Sequence, residues 1–129
     1  MSSSRGTQIK EKVKCSCKGT NLDKLLQPNI LILLCNQNIH GYSIIQELEN
    51  KKLFHGEKAD PAGIYRTLKM MEEKSLIESE WDVMESGAPR RIYAITAAGK
   101  RCLSSWIKTL EDYQRSIEGI IIEAREVLK

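Results

Sequence analysis

The chain has 129 residues, of which 41% are hydrophobic and 29% are charged, and its formal net charge is +3. This length fits one domain, or one small domain with an added oligomerisation element, and it excludes most multi-domain enzymes. The longest apolar run, residues 30–35, is too short to cross a bilayer, and no secretory signal is recognisable, so we expect a cytoplasmic protein.

Residues 1–20 differ in composition from the rest of the chain. They are polar and carry five basic residues and one acidic residue, which gives this segment a formal charge of +4. We predict a mobile basic arm, which either contacts phosphate groups or is a solvated tail.

The four cysteines fall into two groups. We expect no disulfides in a cytoplasmic protein, and we interpret Cys35 and Cys102 as small core residues. Cys15 and Cys17 lie close enough to supply half of a thiophilic metal site or to react with oxidants. Because no second Cys or His pair has ligand spacing, metal or redox sensing by this pair is an alternative and not our main prediction.

Two helices are predicted in the first half of the chain. The first begins at Asn21, a suitable N-cap, and Pro28 bends or restarts it. A turn is predicted at residues 38–41, a second helix at about residues 42–51 and a loop at residues 53–58. The apolar residues at helical spacing are Leu22, Leu25, Leu26, Ile30, Ile44, Ile45 and Leu48.

The third helix has the clearest start. Asp60 is a good N-cap and Pro61 occupies the first helical position, where its missing N–H costs nothing. The helix is predicted to end at residues 74–75. Its buried face is predicted to carry Ile64, Leu68 and Met71, and its opposite face Arg66, Lys69 and Met70, with Tyr65 on the flank.

A β-hairpin is predicted next. Residues 76–83 and 90–96 alternate in the manner of strands, and residues 85–89 between them have the composition of a turn. Two strands alone are marginally stable, so this hairpin must pack against the helices.

The last predicted helix starts after Thr96, its cap, and continues to about residue 128, roughly 45 Å at 1.5 Å per residue. Its apolar residues recur in steps of three and four, which is a heptad pattern. A helix this long extends beyond so small a core, so dimerisation is expected to bury the stripe; the alternative is folding back onto its own domain. We call these residues the seam: Leu103, Trp106, Leu110, Tyr113, Ile117, Ile120, Ala124 and Val127.

Three helices followed by a hairpin is the order of a winged helix, whose third helix enters the major groove of DNA. Arg66 and Lys69 then face outward, toward phosphates or guanine edges. Arg90 and Arg91 lie beside the tip of the hairpin wing, in reach of the DNA backbone or minor groove. The predicted fold class is therefore mainly α with a small β-hairpin: a winged helix-turn-helix plus a long C-terminal dimerisation helix.

Six segments strongly resemble the PadR family of transcriptional regulators, in order and at the family's spacing, over roughly residues 25–105. The segments are residues 31–35, 40–48, 63–69, 72–77, 87–93 and 96–99. The chain departs from the family at Ser75, where glycine is usual, and in the second wing strand, where Ile92 separates Arg91 from Tyr93.

The resemblance implies a homodimeric repressor that dimerises through its C-terminal helix and releases DNA when a small molecule, often aromatic, binds near the dimer interface. Carried over by position, Tyr65, Arg66 and Lys69 face DNA from the third helix, and Arg90 and Arg91 face it from the wing. Tyr42 and Ser43 begin the helix that flanks the phosphate backbone. Tyr65 is alternatively a helix-packing residue. Trp106 either flanks a flat effector or simply packs in the interface.

The sequence thus predicts a DNA-binding transcriptional regulator with an arm at residues 1–20, a winged-helix domain at 21–96 and a dimerisation helix at 97–129. The expected partners are double-stranded DNA, a second copy and an aromatic or hydrophobic effector, with no membrane and no cofactor. The alternatives are a metal or redox sensor that uses Cys15 and Cys17, and an interaction module that binds no DNA. Paired catalytic acids, a nucleophile–base set and a phosphate-binding glycine loop are not recognisable, so we predict no enzyme.

Overall fold

The computed structural model describes residues 25–51, 60–83 and 87–129. Within them, three helices are followed by a β-hairpin and a long helix, which is the predicted winged-helix order. The fold class is therefore confirmed. In chain order the elements are α1 (Leu26–Asn36), β1 (Ile39–His40), α2 (Gly41–Asn50), α3 (Pro61–Glu73), β2 (Ile77–Asp82), β3 (Arg90–Ile95) and α4 (Ala97–Val127).

Helix α1 differs from its prediction in two respects. The predicted cap Asn21 lies outside the described residues, and Pro28 is buried within the first turn of a continuous helix. The expected bend or restart at Pro28 is wrong, because a first-turn residue has no intrahelical acceptor for its N–H and proline is tolerated there. Cys35 is exposed near the end of α1, so its interpretation as a core residue is also wrong.

The sheet has three strands within the described residues, in the order β1-β3-β2, where the sequence predicted two. Strand β1 replaces the turn expected at residues 38–41, which was a wrong prediction. It pairs antiparallel with β3, placing Ile39 opposite Tyr93 and His40 opposite Ile92. The sheet is thereby joined to the start of α2, which follows β1 directly.

The core lies between α1, α2, α3 and the inner face of the sheet. The predicted buried face of α3 is confirmed, whereas Met70, expected on the opposite face, is half-buried against the core. Cys102 is half-buried against the core as well. The most completely buried side chains are Pro28, Ile30, Leu31, Leu34, Ile44, Leu48, Ile64, Leu68, Met71 and Ile77.

Both ends of α3 have defined capping geometry. The carboxylate of Asp60 accepts a hydrogen bond from the Ala62 N–H at 3.2 Å, as predicted for an N-cap. At the other end, the N–H of Ser75 bonds to the Glu72 carbonyl and the N–H of Leu76 bonds to the Met71 carbonyl, each at 2.9 Å. This is a Schellman motif, and Ser75 takes the left-handed conformation that it requires, with φ of 62°.

Replacing Ser75 with glycine is expected to stabilise the protein by about 0.5–1 kcal/mol, because only glycine adopts a positive φ without a steric cost from Cβ. The midpoint of urea unfolding should therefore rise with an unchanged slope. Ser75→Ala provides the matched control, since it keeps Cβ and should give no such gain. Equal midpoints for Ser75→Gly and Ser75→Ala would contradict this interpretation.

Helix α4 leaves the core after its first four turns. The Thr96 hydroxyl oxygen accepts from the Gly99 N–H at 3.0 Å, which confirms the predicted cap. Leu103 and Trp106 pack against the core, whereas every residue of 111–129 is exposed. With 31 residues, α4 is about 46 Å long. Among the described helices, none combines the length and the apolar character that crossing a bilayer requires.

Candidate nucleic-acid interface

The outward side of α3 carries the polar residues predicted to face DNA. Tyr65, Arg66 and Lys69 are all exposed there. Arg66 Nη2 is 3.9 Å from the Asp60 carboxylate, but the Arg66 side chain remains 75% exposed, so this contact binds the guanidinium only weakly. Both cations of α3 are thus accessible to a ligand.

The start of α2 adds a second polar edge. Tyr42 is exposed and its hydroxyl accepts from the Gln46 side chain at 3.1 Å, while Ser43 is half-buried. Among the described residues, no side chain caps the N-terminus of α2, and its first turn contains no acidic residue. Within these residues, the first-turn N–H groups and the positive end of the helix dipole thus have no side-chain partner, which favours an anion such as a phosphate.

The wing presents its two arginines differently. Arg90 is exposed, whereas the Arg91 guanidinium lies over the Trp81 ring, 4.9 Å from its centroid, and 3.9 Å from the Glu72 carboxylate. Arg91 opposes Trp81 across the β2–β3 ladder, which explains the stacking. Arg90 is therefore the more exposed cation, and Arg91 is in contact with Trp81 and Glu72.

A concave cleft of about 310 Å³ separates α3 from the wing. Its floor lies at Gly41, where the rings of Tyr65 and Tyr93 closely approach the backbone. A Cβ at Gly41 would lie 3.2 Å from Tyr65 and 3.3 Å from Tyr93. Aromatic faces and guanidinium groups in one cleft suit the sugar and phosphate groups of a nucleic-acid backbone. The lining residues are His40, Gly41, Tyr42, Tyr65, Trp81, Pro89, Arg90, Arg91 and Tyr93.

Two residues of the cleft, His40 and Tyr93, were not assigned to the site from the sequence. His40 Nε2 lies 2.8 Å from the Asp82 carboxylate and so connects the start of α2 to the wing. Burial raises the pKa of the Tyr93 phenol above its usual value, the Glu72 carboxylate raises it further, and Arg91 opposes both effects. The Tyr93 hydroxyl is therefore neutral at physiological pH.

Trp81 is a further residue of the cleft that sequence reasoning missed. It alternates with Ile77 and Ser79 on the face of β2 that is directed toward α3, yet its side chain is 60% exposed. The sequence does contain a signal that could have identified Trp81: it is a large aromatic residue on the core-facing side of a predicted strand, near the outer end of that strand. Its exposure next to Arg90 and Arg91 places an apolar surface beside two cations.

The seam of α4 divides into two parts. Near the domain, Trp106 donates its indole N–H to the Gln27 side chain at 2.9 Å, so this residue contacts its own α1. Beyond Leu110, no contact within the described part of the chain buries the seam: Ile117 is 55% exposed and Ile120 is 64% exposed. The exposed apolar stripe is thus the distal part, which contains Tyr113, Ile117, Ile120, Ala124 and Val127.

The predicted basic arm and its cysteines lie outside the described residues, so a metal or redox role of Cys15 and Cys17 stays a prediction. Within residues 25–51, 60–83 and 87–129, no group of three or more His, Cys, Asp or Glu side chains is arranged to hold a metal ion.

Comparison with known proteins supports one family. The Transcriptional regulator PadR-like family matches residues 30–105. The transcriptional regulator Rv3488 of Mycobacterium tuberculosis is 33% identical over 91 residues, which are 70% of this chain and 80% of that protein. Among solved structures, protein TA0346 of Thermoplasma acidophilum has a TM-score of 0.69 and 29% identity, covering 78% of this chain and 93% of that one. PadR of Bacillus subtilis in complex with operator DNA has a TM-score of 0.56 and 25% identity, covering 64% of this chain and 46% of that one.

Proposed function

This chain belongs to the PadR-like family of transcriptional regulators, and on that premise we propose that it is a homodimeric repressor which binds operator DNA through its winged helix and is released by a small-molecule effector. It is a transcriptional regulator and not an enzyme. The observation that carries the DNA-binding proposal is the cleft between α3 and the wing, where aromatic rings and two arginines converge. The structure of the B. subtilis relative in complex with operator DNA supports DNA binding by this chain.

In this proposal α3 enters the major groove and the wing reaches across the backbone to the next groove. Arg66 and Lys69 contact phosphates or guanine edges from α3. The backbone strand between the two grooves then runs through the cleft, where the start of α2 and Arg90 face its phosphates. Tyr65 contributes its exposed ring to the same surface, and Tyr42 and Ser43 flank the backbone.

Dimerisation is proposed through the distal seam of α4. Its exposed apolar residues repeat every three and four positions over two heptads, and a second copy of the same helix buries them with matching spacing. A two-fold dimer presents two copies of α3 to half-sites one helical turn apart, roughly 34 Å.

The proposed effector acts where α4 meets α1. The Trp106–Gln27 hydrogen bond joins these helices, and Trp106 is half-buried at the domain end of the seam. A flat aromatic or hydrophobic molecule bound against Trp106 would change the angle of α4 and hence the spacing of the two α3 helices. A dimer with altered spacing engages one half-site at a time and loses affinity.

Replacing Arg66 or Lys69 with alanine is expected to weaken DNA binding and to flatten its salt dependence by about one unit of slope for each phosphate that is no longer neutralised. The probe is a duplex recovered from a random-sequence library by repeated selection on the wild-type protein. Gel-shift titrations at two salt concentrations give the slopes. Arg115→Ala is the matched control, because Arg115 is exposed on α4 away from the seam and far along the helix from the cleft. Unchanged slopes in both α3 variants would remove these residues from the DNA interface.

A further inference from the structure

Glu72 lies in the last turn of α3 and contacts both strands of the wing. The Ser79 hydroxyl of β2 donates to Glu72 Oε2 at 2.6 Å, and Arg91 Nη2 of β3 is 3.9 Å from the same oxygen. We propose that Glu72 is a positioning residue for DNA binding, which fixes the wing relative to α3 and sets the orientation of Arg91 and Trp81. This inference rests on the proposed function.

The contacts form a chain from the end of α3 to the proposed DNA-facing surface. The Glu72 side chain is 31% exposed and the Arg91 side chain 40% exposed, so both are partly shielded from water and their attraction is screened less than that of a fully exposed pair. Arg91 in turn lies over the exposed Trp81 ring. Fixing the carboxylate therefore fixes the guanidinium, and the guanidinium covers one face of the indole.

Pre-organisation of this kind favours binding, because side chains that are already ordered lose less conformational entropy when DNA docks. It also separates the roles of the two wing arginines. Arg90, for which no ion-pair partner is found among the described residues, supplies charge to the phosphates. Arg91 mainly orients the wing and holds Trp81 at the edge of the cleft.

If the proposal is correct, neutralising Glu72 changes the affinity for DNA in the direction opposite to that expected from charge repulsion alone. A carboxylate near a DNA-binding surface repels phosphates, so its neutralisation alone should tighten binding. If Glu72 positions the wing, neutralising it should instead weaken binding. The adjacent Glu73 is exposed, and no hydrogen bond or ion pair involves it within the described part of the chain, so Glu73→Gln reports the charge effect alone.

The experiment compares Glu72→Gln with Glu73→Gln. Glutamine keeps the size of the side chain and an oxygen that the Ser79 hydroxyl can donate to, so the variant is expected to fold, and its melting temperature is measured in parallel. The affinity for the selected duplex is expected to fall roughly 3- to 10-fold in Glu72→Gln, which corresponds to ordering about one long side chain. Glu73→Gln should bind as tightly as the parent or slightly more tightly.

A second readout follows the wing without DNA. In a Trp106→Phe background, Trp81 is the only tryptophan. Releasing Arg91 from Glu72 should uncover the indole and shift its emission to longer wavelength in Glu72→Gln, with no shift in Glu73→Gln. Affinity of Glu72→Gln equal to or above that of Glu73→Gln, or a loss of affinity without the emission shift, overturns the proposal. If no duplex is bound by the parent, the proposed function fails, while the emission comparison still tests the positioning of the wing.

Discussion

Replacing Ile117 with glutamate is expected to convert the proposed dimer to a monomer and to weaken binding to the selected duplex by at least about 100-fold. Ile117 lies in the middle of the distal seam, where its side chain is 55% exposed in the single chain. A two-fold axis through a parallel or antiparallel helix pair would bring two such carboxylates into the same apolar interface, where they repel one another and lack hydrogen-bonding partners.

The loss of DNA affinity follows from the loss of linkage between the two winged helices. In a dimer, binding of the first half-site makes the second contact intramolecular, and such linkage commonly contributes about 10²- to 10⁴-fold. A monomer retains only one set of contacts. The slope of log affinity against log salt concentration should therefore fall to about half that of the parent, because the monomer makes about half of the phosphate contacts.

Sedimentation velocity at micromolar concentration measures the oligomeric state, and gel-shift titration measures the affinity. Ile122→Glu is the matched control, because Ile122 is the same residue type on the same helix, 54% exposed but off the seam. It should remain dimeric and bind DNA like the parent. A dimeric Ile117→Glu variant, or monomers in both variants, would show that the seam is not the interface.

Replacing Gly99 with alanine is expected to destabilise the protein by about 3 kcal/mol, the upper range for forcing an added atom into a packed site. Gly99 is buried where the first turn of α4 crosses the start of β2. A Cβ at Gly99 would lie 2.1 Å from the carbonyl oxygen of Leu76 and 2.7 Å from Cγ1 of Ile95. Both distances are far below van der Waals contact. Because the nearer atom belongs to the backbone and cannot rotate away like a side chain, α4 must move.

That movement would also disturb a connected set of hydrogen bonds. The Thr96 N–H donates to the Leu76 carbonyl at 3.1 Å, and the Thr96 hydroxyl lies within hydrogen-bonding distance of the carbonyls of Ser75 and Leu76. These bonds join the end of α3, the sheet and the cap of α4. Displacing α4 at Gly99 therefore loosens the hairpin from the helical core as well as adding steric strain.

Gly119→Ala is the matched control on the same helix. Apart from its chain neighbours and the backbone of its own helix, no atom of the described residues lies within 4 Å of a Cβ placed there, and alanine is favoured over glycine in a helix by about 1 kcal/mol. Urea unfolding at one fixed protein concentration should give a lower midpoint for Gly99→Ala and a slightly higher one for Gly119→Ala. An unchanged midpoint in Gly99→Ala would mean that the packing at the start of α4 is looser than the distances indicate.

Local signals in the sequence predicted most of the fold. The Asp60 cap, the apolar face of α3 and the Thr96 cap are determined by neighbours within a few residues, so they could be predicted directly. The hairpin was predicted within one residue at each end because its alternation is local too. Strand β1 was missed, because two residues carry no periodic signal and the strand exists only through its pairing with β3, far along the chain.

The exposed cations of the candidate site were predictable from the sequence, but their arrangement was not. Outward cations on α3 follow from helical periodicity, so Arg66 and Lys69 could be named from the sequence. The difference in exposure between Arg90 and Arg91 could not be predicted from the sequence. It depends on the contacts of Arg91 with Trp81 on the neighbouring strand and with Glu72 on α3. Positive φ at Ser75 likewise depends on the Schellman geometry and not on the residue type, which disfavours it.

We propose that two copies of the chain, joined through α4, bind DNA with two α3 helices. Selection from a random-sequence duplex library, followed by sequencing of the bound fraction, tests this arrangement. We predict an inverted repeat whose half-sites are centred about 10 base pairs apart, since that spacing matches one helical turn. Enrichment of a single unrepeated site, or no enrichment above the starting library, would contradict it.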